Sequence, residues 1–142
     1  MKLSSQSNYG LKGCYILAQN YNSEPIPSSK LEEKIGVSKK YLERIMRTLS
    51  NAKIVKASRG TLGGYSLSKN PKETTIGEIV RALEDNMEFI GCVLHKDCNC
   101  PSGNVWRKLY KGMNELLDSI SLQDMIDDTD KNCLCSLCAE KD

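Results

Sequence analysis

Apolar positions along this chain keep helical spacing over most of its length, interrupted once by a stretch of alternation. Leu11, Cys14, Tyr15 and Ala18 recur at three- and four-residue intervals and predict a first helix from about Asn8 to Asn20. Pro25 and Pro27 break that pattern. Ser29-Lys30-Leu31-Glu32 has the spacing of a capping box and predicts a second helix from about Lys30 to Ile35. Gly36-Val37-Ser38 follows: the glycine suits a left-handed turn and Ser38 suits the cap of the next helix. Leu42, Ile45, Met46 and Leu49 then mark a third helix over Lys39 to Ser50.

Alternation replaces helical spacing after Asn51. Residues Ala52 to Ala57 and Tyr65 to Ser68 predict two strands around the glycine-rich loop Ser58-Arg59-Gly60-Thr61-Leu62-Gly63-Gly64. No Gly-Lys-Ser/Thr follows those glycines and the three-glycine dinucleotide pattern is absent, which argues against a nucleotide site. Helical spacing resumes at Thr75-Ile76-Gly77-Glu78, a second capping-box sequence, with Ile76, Ile79, Val80 and Leu83 facing inward. From about Gly103 the pattern becomes a seam: Trp106, Met113 and Ile120 form one heptad series, Leu109 and Leu116 the other. Such a seam serves a homodimer or closes the core of a single protomer. Ser121 to Ile126 predicts one more short helix.

These elements describe a mainly α fold with a small β-hairpin wing, a winged helix-turn-helix followed by a dimerisation helix. The expected organisation is a DNA-binding domain over 1–83, a cysteine-bearing loop over 84–102, a dimerisation helix and C-terminal helix over 103–128, and a tail over 129–142.

Charge sharpens that picture. Residues 1–72 carry 13 Lys or Arg against 4 Asp or Glu, whereas residues 73–142 carry 7 against 14. A basic first half suits a polyanion, because phosphate contacts release counterions and steer encounter. The expected reading surface comprises Ser38, Lys39, Lys40, Tyr41, Glu43 and Arg44 at the start of the third helix, with Arg59 and Gly60 on the wing. Lysines neutralise phosphates, Tyr41 packs on backbone or a thymine methyl, and Glu43 accepts from cytosine N4. An arginine on a wing suits a narrow, electronegative minor groove. The structural alternative has Tyr41 partly in the core and Glu43 paired with Arg47.

No run approaches the length of a membrane span, and no apolar segment follows the first residues, so a cytoplasmic protein is expected. In a reducing compartment the seven cysteines act as ligands or sensors rather than as structural disulfides. Cys92, His95, Cys98 and Cys100 gather soft and borderline donors that suit an iron–sulfur cluster or zinc; a thiol or disulfide switch is the metal-free reading. Cys14 lies on an apolar helix face and reads as a small core residue. Cys133, Cys135 and Cys138 fit no motif closely. Cys135-Ser136-Leu137-Cys138 has redox spacing without a βαβ context, and an enzyme is not expected.

Taken with Gly36-Val37-Ser38, Tyr41-Leu42-Glu43, Ser58-Arg59-Gly60, Gly63-Gly64-Tyr65 and Val105-Trp106, the chain resembles the IscR, NsrR and CymR family of bacterial winged-helix regulators over about Met1 to Asp128. The resemblance implies a repressor or dual regulator that binds double-stranded operator DNA as a homodimer, with contacts at Ser38, Tyr41, Glu43, Arg44 and Arg59. It also implies a [2Fe–2S] or [4Fe–4S] cluster on Cys92, Cys98 and Cys100. In the family the fourth ligand is a histidine where this chain has Gly103, or a carboxylate near the place of Asn8. His95 and a C-terminal cysteine are the substitutes here.

Overall fold

The computed structural model describes residues 3–84 and 100–128. Helices α1 (Ser5–Gln19), α2 (Ser28–Ile35) and α3 (Lys39–Asn51) precede strands β1 (Val55–Ser58) and β2 (Gly64–Leu67); α4 (Ile76–Leu83), α5 (Pro101–Ser119) and α6 (Leu122–Asp127) follow. The two strands form an antiparallel hairpin in register Val55↔Leu67 to Ser58↔Gly64. The mainly helical winged architecture expected from the sequence is the one observed.

The core lies between α1, α3 and α4, where Leu17, Leu42, Ile45, Met46, Leu49 and Ile79 are shut off from solvent. α1 differs from its predicted form. It starts earlier than Asn8, because Ser4 caps it and accepts the Ser7 amide at 3.3 Å. Its second half, Cys14 to Ala18, is buried all round. A helix at the centre of a domain loses the single apolar face of a surface helix. Gly10 and Gly13 let its neighbours close in, since a side chain on Gly13 would meet the Met46 methyl at 2.8 Å.

The capping box at Ser29 does not form. α2 begins two residues earlier, at Ser28, with Pro27 as its cap and without a side-chain capping bond. The proline's fixed extended backbone places its carbonyl to accept from Lys30 and Leu31 at 3.1 and 3.2 Å, leaving Ser29 inside the first turn. At the other end Gly36 adopts φ 79, the left-handed conformation that glycine takes without strain. Ser38 then caps α3 by accepting the Tyr41 amide at 3.3 Å.

The end of α3 has a different solution. Lys53 takes φ 63, the Ile54 amide donates to Leu49 O at 3.0 Å and the Lys53 amide to Ser50 O at 3.0 Å. These crossed bonds satisfy the last helical carbonyls and turn the chain into β1, so the strand starts at Val55 rather than Ala52. The segment before α2 joins the hairpin: Ile26 and Tyr65 exchange two backbone bonds of 2.9 Å. A side chain on Gly64 would strike the Ile26 carbonyl, which explains why glycine is found there. Thr75 caps α4 by accepting the Glu78 amide at 3.2 Å, but Glu78 turns to Lys69 at 2.9 Å instead of closing the box.

α5 starts at Pro101, two residues before Gly103, because proline is well suited to the first helical turn. Val105, Leu109 and Leu116 are exposed along it, while Trp106 and Met113 are half-buried. Ile120 leaves the predicted seam. The helix ends at Ser119, and Ile120 is extended, with its carbonyl accepting the Ile76 amide at 2.8 Å and its side chain against the protomer's own core. α6 opens with a complete capping box between Ser121 and Asp124, and its Leu122 is fully buried against the winged domain. Among the described residues, no helix is long and apolar enough to cross a membrane.

Candidate nucleic-acid interface and cysteine site

The first turn of α3 is set by its cap. Ser38, Lys39, Lys40 and Arg44 are exposed, so three cations project from one end of a helix whose opposite face holds Leu42, Ile45 and Met46 in the core. Tyr41 is half-buried and packs against the core, which is the structural alternative raised by its place in the pattern. Its ring meets Tyr9 edge-on at 6.0 Å and its hydroxyl lies 3.3 Å from Ser5 Oγ. Glu43 is half-buried.

Arg59 and Gly60 are exposed in the loop between the strands, and Gly60 has φ 105. The wing is electrostatically coupled to α3. Burial raises the Tyr65 hydroxyl above its ordinary range, the Glu43 carboxylate raises it further, and Arg47 opposes both. Glu43 and Arg47 therefore both act on β2, a relationship that their spacing alone, which suggested a mutual pair, does not reveal.

Sequence patterning missed a second layer behind this surface. Lys12 Nζ sits 5.5 Å from the Tyr9 ring centroid, extending the Tyr41–Tyr9 contact by a cation. Glu84 Oε1 accepts from the Ser4 amide and hydroxyl, each at 2.7 Å, and from the Ser7 hydroxyl at 2.6 Å. Those hydrogen bonds, with Ser7 foremost, hold its carboxyl below the usual range. No local motif links residues so far apart in sequence.

The cysteines divide by environment. Cys14 is fully buried, and desolvation pushes its thiol up to about 12. Cys100 caps α5 instead, with Sγ 3.1 Å from Ser102 Oγ. The Ser102 hydroxyl, the backbone amides of Gly103 and Ser102, and Arg107 all hold its thiol below the ordinary value. A thiolate at a helix start is the form that binds metals and reacts with oxidants. Cys92, His95, Cys98 and the C-terminal Cys133, Cys135 and Cys138 lie outside the described residues. Among the described residues no three His, Cys, Asp or Glu side chains gather as a metal site.

The family model for Rrf2, described as an iron-dependent transcriptional regulator, matches residues 3–128. This chain belongs to the Rrf2 family. The CymR regulator of Bacillus subtilis (strain 168) is 32% identical over 130 residues, covering 92% of this chain and 93% of that one. IscR of Aliivibrio salmonicida (strain LFI1238) is 29% identical over 134 residues, covering 92% of this chain and 80% of that one. The structure of T. potens IscR superposes with a TM-score of 0.77 at 32% identity, covering 95% of this chain and 93% of that one. This Rrf2 protein is thus a DNA-binding transcriptional regulator rather than an enzyme, and it has relatives in both the IscR and the CymR groups.

Proposed function

We propose that this Rrf2 regulator represses transcription in the bacterial cytoplasm as a homodimer on operator DNA, with its DNA affinity set by an iron–sulfur cluster. Ser38, Lys39, Lys40, Tyr41, Glu43 and Arg44 form the major-groove reader, and Arg59 with Gly60 enters the minor groove. Residues 1–83 act as the reading unit, 84–102 as the sensor loop, 103–128 as the dimerising and returning helices, and 129–142 as a tail. Trp106, Leu109, Met113 and Leu116, joined by Val105, pair the protomers.

The observation that carries the sensor reading is the position of Cys100. It is the cap of α5, the helix whose apolar side stands open, and the lowering of its thiol below the ordinary value eases the deprotonation that a soft metal ligand needs. The described end of the donor set therefore fits the group. Cys92 and Cys98 complete three thiolate ligands, with His95 or a tail cysteine as the fourth. When bound, a [2Fe–2S] or [4Fe–4S] cluster supplies sensitivity to iron, redox state or nitric oxide. Cys100, as both a ligand and the cap of α5, would tie the sensor loop to the helix that pairs the two reading heads.

The same thiol, lowered below its ordinary value, also favours a second reading, metal-free control by oxidation of Cys100. Anaerobic purification decides between them, with iron, sulfide, absorption and DNA affinity measured on the same sample. A brown protein whose DNA affinity changes on cluster removal supports the cluster. A colourless protein that cannot be reconstituted, yet whose DNA affinity shifts with peroxide, supports the thiol. Arg59→Ala should weaken DNA binding by about tenfold or more while leaving the oligomer intact.

A further inference from the structure

Five large hydrophobic side chains are exposed among the described residues: Leu3, Leu62, Val105, Leu109 and Leu116. Three belong to the open side of α5 and Leu3 stands near the chain start. Leu62 is the most exposed, at 77%, and nothing in the dimer reading accounts for it. It lies on the wing, three residues after Arg59.

The tip holds Leu62 in a fixed place. The last strand pair is Ser58↔Gly64, so residues 59–63 form the apex of the hairpin. The Gly63 amide donates to Gly60 O at 3.0 Å, closing a turn with Thr61 and Leu62 at its two central positions. Gly60 supplies φ 105, and a side chain on Gly63 would strike the carbonyls of Ser58 and Gly60. Leu62 also borders a groove along Pro25, Ile26 and Pro27, yet its exposure leaves the side chain in water. Its surroundings on the hairpin are cationic, with Lys56 and Arg59 both exposed.

We infer that Leu62 is an apolar wedge that enters a base step of the minor groove beside Arg59 and unstacks it. This rests on the proposed DNA reading and deepens it by adding a residue that reads deformability rather than base edges. Apolar side chains inserted in this way kink the duplex, and the burial gained offsets the stacking lost. A turn already closed loses little freedom on binding. Pyrimidine–purine steps unstack most readily, so the wedge gives the operator a preference for such a step at a fixed distance from the major-groove contacts.

The test uses duplexes selected from a random pool by the wild-type protein, with 2-aminopurine placed in turn at each step near the wing. Wild-type protein should raise the fluorescence several-fold at one step per half-site. Leu62→Ala should abolish the rise and weaken binding by no more than about tenfold, while Leu62→Phe should preserve it. A rise unchanged in Leu62→Ala, or absent with wild type at every step although the duplex is bound, overturns the wedge and leaves the DNA reading standing. A wild-type protein that selects no duplex overturns both.

Discussion

Tyr9 and Tyr41 meet edge to face, with ring centroids 6.0 Å apart and planes 89° from parallel. One ring belongs to the central helix α1 and the other to the first turn of α3. The start of the reading helix is therefore steadied from behind by an aromatic contact, not only by its own cap.

Removing that support tests its role. Tyr9→Ala should cost about 1–2 kcal/mol of stability, the pair itself accounting for roughly 0.5–1.5 kcal/mol. DNA affinity should fall as well, because Tyr41 and its lysine neighbours lose their backing. Tyr9→Phe keeps the ring and should behave almost as wild type. Urea unfolding and fluorescence anisotropy on labelled duplex measure the two effects. Equal stability of Tyr9→Ala and wild type would refute it.

The open side of α5 makes its own prediction. Leu109 and Leu116 are 50% and 62% exposed in the protomer. Leu109→Glu combined with Leu116→Glu should yield a folded monomer by sedimentation, because charges placed in a buried seam must otherwise be desolvated. DNA binding should weaken with the loss of the second reading head. A double variant that remains a dimer would place the interface elsewhere.

Glu84 gives a pH dependence whose sign can be worked out. Its carboxyl is held below the ordinary 4.5 by Ser7 and Ser4, so its folded-state pKa is depressed. The stabilisation is present above the unfolded value and disappears as pH falls through the folded one. Glu84→Gln should therefore lower the urea midpoint at pH 7, and the gap from wild type should close on acidification below about 4.5. A gap that is constant from pH 7 to pH 3 would remove the ionised carboxylate from the account.

The two described cysteines should differ sharply in reactivity. Cys100 has a lowered thiol pKa at an accessible helix start, whereas Cys14 is buried with its thiol at about 12. Iodoacetamide at pH 7 should label Cys100 rapidly in the metal-free native protein and leave Cys14 untouched until the chain unfolds. Peptide mass spectrometry reads each site, and rapid native labelling of Cys14 would contradict its burial.

Local chemistry made much of this fold legible. Gly36 and Ser38 announce the turn and the α3 cap within three residues, and Leu42, Ile45, Met46 and Leu49 disclose its buried face. The failures have non-local causes. Ser29 had the right spacing for a capping box, but Pro27 took the cap position and moved the start of α2 two residues earlier. Ile120 matched the heptad count, yet backbone pairing with Ile76 took it from the seam. α1 hid its extent because it is enclosed by neighbours on several sides. In the site, the exposed lysines and Arg59 were visible as types and positions. The Tyr9, Ser4, Ser7 and Glu84 supports were not, since they arise only when separated segments meet.

After α5 the chain doubles back and is sewn to the opening of α4. The Ile76 amide donates to Ile120 O at 2.8 Å, the Leu122 amide donates to Thr74 O at 2.9 Å, and Arg81 reaches Asp118 and Asn114. This fastens the far end of α5 to the body that carries α3 and the wing. Asn114, the nearest of these anchor points, lies fourteen residues, about 21 Å, from Cys100 along α5. Cys100 thus heads a helix whose other end is bonded to the body that carries α3 and the wing.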